Sequence, residues 1–193
     1  MSLLDLSGKT ILITGGCGAI GRVVVKTLAA HGAKVAVNDV LDEAAATEAL
    51  CSDGPFPGKW TYIQADVQST SDVQRMFDQA EERLGLADVV CCHVGVTEAA
   101  PLENYSLEAF DRVMGVNARG SFITAQEAVR RWIDRGIRGH LIFTTSWVQD
   151  VPWPEITPYC ASKAAVKSMM RSFAREFADR GIRANAVAPG IVG

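Results

Sequence analysis

The sequence has few of the features that are needed to span a membrane or to bind a nucleic acid or an anionic surface. No apolar run approaches the length of a membrane span, and basic residues form only short pairs such as Arg130 and Arg131. The formal net charge is −3, which gives no electrostatic attraction for nucleic acid. The start of the chain has an acid and lacks the basic stretch that opens a secretory signal. These absences favour a cytoplasmic protein that acts on small molecules.

The cysteines of the sequence do not form the patterns that are typical of metal sites or disulfide frameworks. The chain has five cysteines, an odd number, and none of them shows a C-x-x-C spacing. We therefore expect neither disulfides nor a metal site. Cys91 and Cys92 are adjacent in a strand-like run, where successive side chains point to opposite faces. We expect both to be small buried apolar side chains.

Apolar residues, in contrast, are plentiful, and at 48% of 193 residues they suffice for the core of one globular domain over residues 1–193. Strand-like runs alternate with helical ones, which predicts an α/β fold with a parallel sheet covered on both faces. The predicted strands cover residues 10–14, 34–39, 60–65, 87–92, 140–145 and 183–188.

The helical runs have recognisable starts and apolar faces. Ser71 is expected to start one helix, and Ser106 to cap another that runs through Trp132 with an irregularity near residues 115–120. In the helix after the first strand, the predicted apolar stripe consists of Ile20, Val23, Val24 and Leu28. The helix from Tyr159 is expected to bury Val166, Met169 or Met170, Phe173 and Phe177.

Glycines in residues 14–21 lie between the first strand and its helix, where they permit a tight turn and a close approach to a pyrophosphate. A plain strand-to-helix turn is the alternative. Asp39 ends the second strand, eighteen residues past Gly21, and its carboxylate suits the adenosine ribose hydroxyls. It would repel a 2′-phosphate, and no positive charge is supplied by Cys17, Gly18, Asn38 or Val40. This favours NAD(H) over NADP(H).

Each of these carboxylates also has a simpler interpretation. Asp39 could begin the next helix, although Asp42 would serve that purpose as well. Asp66 ends the third strand, where it could reach the adenine edge, but on its own it is typical of a turn.

Tyr159 and Lys163 are four residues apart, so that both side chains project from one helix face. A free phenol titrates near about pH 10 and is a poor base at neutrality. A cation about 4 Å away would lower the pKa of the phenol by up to roughly three. Ser146 ends a strand-like run thirteen residues before Tyr159. The pattern is typical of proton transfer, with an ordinary surface pair as the alternative.

Taken together in one order, these motifs resemble the classical short-chain dehydrogenase/reductase family over nearly the whole chain. The motifs are residues 14–21, Asp66 with Val67, Asn117, Ser146, Tyr159, Lys163, and Pro189 with Gly190. The resemblance implies a Rossmann-type sheet of strand order 3-2-1-4-5-6. It also implies cofactor contacts from Gly15, Cys17, Gly18, Ile20, Gly21, Asp39, Asp66, Val67, Gly95, Tyr159, Lys163, Pro189 and Gly190.

The same resemblance implies catalytic roles. Tyr159 would be the general acid/base, and Lys163 would lower its pKa and bind the nicotinamide ribose. Ser146 would hydrogen-bond the substrate oxygen, and Asn117 would help to position a water that relays protons. Taken alone, Ser146 is typical of a strand end, and Asn117 of a polar residue satisfied by the backbone.

The sequence departs from the family pattern in three places. Ala19 stands where the phosphate loop usually has glycine. Cys92, His93, Val94 and Gly95 replace the usual Asn-Asn-Ala-Gly, and we expect His93 to restore one lost hydrogen bond or to line the cofactor site. The chain stops at Gly193, before the family's covering loop and last edge strand. A piece of a longer protein is therefore expected, with a true fragment of impaired turnover as the alternative.

The substrate is less well indicated than the cofactor. Trp147 and Trp153 in the segment 147–158 suggest an apolar wall beside the reacting carbon, or else packing in the core or between subunits. Residues 96–102 would form the opposite wall. The resemblance also implies a homodimer or homotetramer paired through residues 120–132 and 159–180.

The resulting hypothesis is a hydride transfer between NAD(H) and a secondary alcohol or ketone. The alternatives are an NADPH-dependent 3-oxoacyl reductase and a dinucleotide-binding scaffold or sensor without turnover.

Overall fold

Six parallel strands form one sheet in the order β3-β2-β1-β4-β5-β6 in the computed structural model, which describes residues 5–52 and 54–191. This confirms the predicted fold class, and each predicted strand lies within two residues of an observed one. The end of the printed sequence, Gly193, is outside the described residues. The strands are β1 (Thr10–Thr14), β2 (Lys34–Asp39), β3 (Trp60–Gln64), β4 (Val89–Cys92), β5 (Gly139–Thr144) and β6 (Ile182–Val187).

In the described residues, six α-helices connect and cover these strands. They are α1 (Ala19–Ala30), α2 (Glu43–Cys51), α3 (Thr70–Leu84), α4 (Leu107–Met114), α5 (Ser121–Asp134) and α6 (Thr157–Glu176). A π-helical segment, Gly115–Gly120, joins α4 to α5, which confirms the irregularity expected there. Such wide turns are frequent at functional sites because they redirect side chains from the regular helical face.

The two faces of the sheet bury separate apolar cores. One core contains Ile11 and Ile13 of β1 with residues of α1 and α2, and the other contains Leu12 with residues of α3, α5 and α6. Cys91 belongs to the first core and Cys92 to the second, so these neighbours point to opposite faces as predicted. Burial raises the pKa of both thiols, which keeps them protonated.

Helix starts follow the capping residues closely. Ser106 accepts a hydrogen bond from the Ala109 N–H at 3.1 Å and caps α4, as predicted. Ser69, rather than Ser71, caps α3, and α6 begins at Thr157, two residues before Tyr159. Both shifts are of two residues; Ser69 provides the cap of α3, whereas α6 starts after Ile156 without a side-chain cap and has a proline in its first turn.

The apolar stripe predicted for α1 is right for two of its four residues: Val24 and Leu28 pack against the first core, whereas Ile20 and Val23 are 37% and 61% exposed. Val25 and Ala29, which the prediction left out, are the side chains of α1 that are buried in that core. The rotation of α1 is set at its first turn, where a Cβ on Gly21 would lie 2.4 Å from the Gly15 carbonyl oxygen. Backbone therefore packs directly on backbone here, and this contact decides which side chains face inward.

No helix of the described residues has the length and apolar character needed to cross a membrane. Within residues 5–52 and 54–191, no three histidine, cysteine, aspartate or glutamate side chains gather as a metal-ion site would require.

Candidate active site

A cavity of about 570 Å³ lies at the carboxyl ends of the parallel strands. The strand order reverses between β1 and β4, and open α/β sheets bind ligands in the crevice that this reversal creates. Nine of the predicted site residues line the cavity: Gly15, Gly18, Ile20, Asp39, Asp66, Val67, Gly95, Tyr159 and Lys163. Cys17, Gly21, Asn117, Ser146, Pro189 and Gly190 are not among its lining residues.

The glycine loop between β1 and α1 forms one wall of the cavity. Gly15 has a positive φ of 69°, and a Cβ there would lie 2.8 Å from the Val94 Cα. The loop and the segment after β4 therefore meet without room for a side chain. Cys17 is buried behind this wall, and its N–H donates to Asp39.

Asp39 is held at the end of β2 by backbone donors. Its two carboxylate oxygens accept from the Cys17 N–H at 3.1 Å and the Val40 N–H at 2.8 Å. Asp42, in contrast, caps α2 by accepting from the Ala45 N–H at 2.8 Å. The sequence left open whether Asp39 binds a ribose or begins α2. Because Asp42 caps α2, Asp39 is not needed for the start of that helix. Asp39 lines the cavity.

Asp66 and Val67 line the same end of the cavity after β3. Asp66 accepts from the Gln68 N–H at 2.9 Å and so shapes the turn that follows the strand. Its position is therefore compatible with both interpretations drawn from the sequence.

Lys163 lies at the other end of the cavity and is only 3% exposed. Its Nζ donates to the Thr144 carbonyl oxygen at 2.8 Å and lies 5.6 Å from the centre of the Tyr159 ring. Burial lowers the pKa of Lys163 to about 8. The alternative of an ordinary surface pair is therefore wrong for this lysine.

Tyr159 does not have the lowered pKa that the sequence argument led us to expect. Burial raises its pKa, and a hydrogen bond with Ser146 opposes that rise only in part. The sequence argument considered the nearby cation without the desolvation of the phenol. Ser146 itself is 7% exposed and accepts from the Val148 N–H at 3.4 Å.

Asn117 is fully buried in the π-helical segment and joins three parts of the site. Its side-chain amide bonds both backbone groups of Val96, accepting from the N–H at 2.8 Å and donating to the carbonyl at 2.9 Å. It also donates to the Ser162 Oγ at 3.0 Å. The amide therefore fixes the segment after β4 against α6, which agrees with the backbone-satisfied alternative.

Gly95 and His93 occupy this same segment. A Cβ on Gly95 would lie 3.1 Å from the Lys163 Nζ, so glycine leaves room for the ammonium group. His93 Nδ1 lies 2.8 Å from the Thr144 Oγ1, which ties the end of β4 to the end of β5. This is the hydrogen bond that we expected His93 to restore, and His93 also lines the cavity.

Pro189 and Gly190 both lie outside the cavity lining, and Pro189 supports the site through its backbone. The Pro189 carbonyl accepts from the Trp147 N–H at 3.1 Å and thereby holds the turn that follows Ser146.

The two segments expected to form substrate walls are directly connected. The Ala100 N–H donates to the Glu155 carbonyl at 2.9 Å, which joins residues 96–102 to residues 147–158. The Trp147 and Trp153 rings meet edge to face at 5.6 Å, and Trp153 is 55% exposed. Neither tryptophan lines the cavity.

Sequence reasoning missed Thr144, Arg112 and Gln68, which also line the cavity. Thr144 contacts both His93 and Lys163, while Arg112 forms an ion pair with Glu98. Gln68 directly follows the motif of Asp66 and Val67, whereas no local motif marks Thr144 or Arg112, which the strand order and the course of α4 bring to the cavity.

Comparison with known proteins gives a consistent result. A family model described as short chain dehydrogenase matches residues 9–193. A 3beta-hydroxysteroid dehydrogenase of Eggerthella lenta is 36% identical over 186 residues, which are 96% of this chain and 71% of that protein. A glucose 1-dehydrogenase of Gluconobacter oxydans is 36% identical over 190 residues, covering 96% and 70% respectively.

Solved structures agree with the sequence relatives. A short-chain type dehydrogenase/reductase from Mycobacterium marinum superposes with a TM-score of 0.87 at 36% identity, covering 97% of this chain and 76% of that one. Levodione reductase gives a TM-score of 0.86 at 30% identity, covering 95% and 72%. With its parallel sheet and the glycine loop of its cavity, this chain belongs to the classical short-chain dehydrogenase/reductase family, whose members are NAD(P)(H)-binding oxidoreductases.

Proposed function

We propose that the protein is an NAD-dependent alcohol dehydrogenase or ketone reductase in which Tyr159 is the general acid/base. The observation that carries this proposal is that one cavity is lined by Asp39 at one end and by Tyr159 and Lys163 at the other. A dinucleotide has a ribose at each end, and the distribution of these side chains suits both. Residues 1–193 would act as one dinucleotide-binding domain.

The residues present fit a dinucleotide. Gly15 and Gly21 leave no space for side chains, so backbone N–H groups and the start of α1 can approach a pyrophosphate. Gly18, Asn38, Asp39 and Val40 line the adenosine end, and none of these is cationic. The Asp39 carboxylate would accept from ribose hydroxyls and repel a 2′-phosphate, which supports NAD(H) over NADP(H).

The nicotinamide ring supplies or accepts the hydride when the cofactor is bound. Tyr159 would give its phenolic proton to a ketone oxygen in reduction, or take the proton of an alcohol in oxidation. Because burial raises its pKa, Tyr159 is protonated at neutral pH and suited to donate. Ser146 would share a hydrogen bond with the same substrate oxygen, and the Lys163 cation would stabilise the phenolate. Asn117 would position the segment that faces them.

A secondary alcohol or ketone is the substrate class that this constellation suits best. The relatives are named for a steroid, for glucose and for a chlorinated cyclohexadiene diol, so they do not point to one substrate. The connected segments around Ala100 and Glu155 would cover the reacting carbon. We further propose a cytoplasmic homodimer or homotetramer, since Leu107, Phe110 and Phe122 expose apolar surface on α4 and α5.

The test is a screen of alcohols with NAD and NADP, and of ketones with NADH and NADPH, followed at the absorbance of reduced nicotinamide. We expect turnover with the non-phosphorylated cofactor. Tyr159→Phe should then lower kcat by roughly 10²- to 10⁴-fold, because the proton donor is removed. Tyr105→Phe is the matched control, since Tyr105 bonds the Glu98 carbonyl and does not line the cavity.

Three outcomes would contradict the proposal. Preference for NADPH would favour the 3-oxoacyl reductase alternative. Cofactor binding without turnover of any compound would favour the scaffold alternative. Unchanged turnover in Tyr159→Phe would remove Tyr159 from the chemistry.

A further inference from the structure

His93 is fixed at the point where the segment after β4 meets the glycine loop. The backbone N–H groups of His93 and Val94 both donate to the Thr14 Oγ1, at 3.1 Å and 3.2 Å. Val94 in turn lies directly against Gly15. The backbone of His93 is thus anchored beside the start of the loop that would surround a pyrophosphate, while its imidazole extends toward Thr144 at the end of β5.

One ring nitrogen of His93 is occupied and the other is not. Nδ1 pairs with the Thr144 Oγ1 at 2.8 Å, and the Thr144 carbonyl accepts from Lys163. Nε2 has no hydrogen-bond partner among residues 5–52 and 54–191. It is also not one of the fully buried side-chain atoms of these residues that lack a partner, so it is accessible to solvent. Because His93 lines the cavity, Nε2 is open to it.

The charges around the imidazole come from both ends of the cavity. Burial lowers the pKa of His93, the Lys163 charge on α6 lowers it further, and the Asp39 carboxylate on β2 opposes them. Among the described residues that line the cavity, the fixed cations are Lys163, held by the Thr144 carbonyl, and Arg112, paired with Glu98. His93 is therefore the remaining lining side chain that can gain a positive charge, and its backbone adjoins the start of the glycine loop.

We propose that His93 contacts the pyrophosphate of the bound dinucleotide through Nε2 and takes up a proton from solvent when the dinucleotide binds. This inference rests on the proposed function, since it concerns the same cofactor. It makes cofactor affinity depend on pH through a side chain that stands where the family has an amide.

The direction of the pH dependence follows from linkage. A phosphate charge favours the imidazolium, so the pKa of His93 is higher in the complex than in the free protein. A ligand that raises the pKa of a group binds more tightly as the pH falls from the pKa in the complex to the pKa in the free protein. Lys163, with a pKa of about 8, is mostly charged at pH 7 and therefore adds little to the pH dependence of cofactor affinity below pH 7.

The first test is an NMR titration of the three histidine rings in the free protein and with NAD, ADP-ribose or adenosine. We expect NAD and ADP-ribose, which carry the pyrophosphate, to raise the pKa of His93 by about one, and adenosine to leave it unchanged. His140 is an internal control because burial also lowers its pKa, while it lines a separate groove at the amino ends of the strands.

The second test compares cofactor dissociation constants between pH 7 and pH 5 in the native protein and in His93→Asn. The native affinity should increase by up to about tenfold as the pH falls, and the variant should lose that increase. His140→Gln should retain it. If His93→Asn fails to fold, the titration of the native protein still decides the question.

The failures are distinguishable. A His93 pKa that stays unchanged while NAD is bound, or that rises equally with adenosine, would overturn this inference and leave the proposed function intact. Absence of any NAD binding would instead overturn the proposed function.

Discussion

The two ends of the cavity hold their polar side chains in different ways. At the end formed by β1, β2 and β3, Asp39 is partly exposed and is fixed by the N–H groups of Cys17 and Val40. At the end formed by β4, β5 and α6, three polar side chains are almost completely buried, while Tyr159 is partly exposed. The exposed fractions of these three are 0% for Asn117, 3% for Lys163 and 7% for Ser146.

Under the proposed function, this difference separates cofactor recognition at the exposed end from chemistry at the buried end. A partly exposed carboxylate retains much of its hydration, and strand ends position it at little cost in free energy. A buried cation interacts more strongly with a neighbouring group, but its desolvation destabilises the fold. The lowered pKa of Lys163 and the raised pKa of Tyr159 are signs of that burial. We therefore expect substitutions at the buried end to affect turnover more than those at the exposed end.

The largest effect is expected for Lys163→Met, which keeps the length of the side chain and removes its charge. Without the cation near Tyr159 and at the nicotinamide end, kcat/KM should fall by roughly 10²- to 10⁴-fold. Lys167→Met is the matched control one turn later on α6, where Lys167 forms an ion pair with Asp150 at the surface. Steady-state kinetics with both variants measures the difference, and equal losses would contradict a special role for Lys163.

The same variant should be more stable than the native protein near neutral pH. The pKa of Lys163 is about 8 in the folded protein, whereas its ordinary value is 10.5. Between these two pH values the unfolded chain therefore binds more protons than the folded protein. Stability therefore rises with pH across that window, and below it the buried charge costs about 3 kcal/mol. Lys163→Met removes this cost but leaves the Thr144 carbonyl without its donor. We expect a net gain of about 1–2 kcal/mol in denaturant unfolding at pH 7.

The exposed end was easier to predict from sequence than the buried end. Asp39 was predicted from the end of a strand and from its spacing to Gly21, and in the structure it lines the cavity at the carboxyl ends of the strands. The Tyr159 and Lys163 pair was also visible, because four residues make one helical turn. Local spacing suffices for such features, since it needs no knowledge of what packs against them.

The properties that depend on packing were not predictable in this way. The pKa of Tyr159 moved in the opposite direction from the expected one, because burial depends on segments distant in sequence. The role of Asn117 in positioning a water stays a prediction, but the sequence did not indicate that its amide joins Val96 to Ser162. The inward face of α1 was predicted only in part, because a backbone contact between Gly15 and Gly21 sets its rotation.

An intermediate effect is expected at the exposed end for Asp39→Ala. Loss of the carboxylate should weaken NAD binding by roughly 10- to 100-fold and reduce discrimination against NADP, because ribose hydroxyls lose a charged acceptor. Asp42→Ala is the control: it removes the cap of α2, which should cost about 1 kcal/mol of stability without changing cofactor affinity. Calorimetric titration with both cofactors measures these effects. Unchanged NAD affinity in Asp39→Ala would show that the ribose is bound elsewhere.

The smallest effect is expected for Ala19→Gly, which restores the glycine usual in the family's phosphate loop. Ala19 is exposed, lines the cavity and is the first residue of α1, so its methyl group points away from packed backbone. We expect the NAD dissociation constant to change by less than about threefold and stability to fall by less than about 1 kcal/mol. Ala30→Gly, at the other end of α1, tests the helix alone. Tenfold tighter NAD binding in Ala19→Gly but not in Ala30→Gly would contradict this expectation and would show that the methyl group of Ala19 obstructs the pyrophosphate. The exposed end would then be less completely adapted to its cofactor than the buried end is to its proposed chemistry.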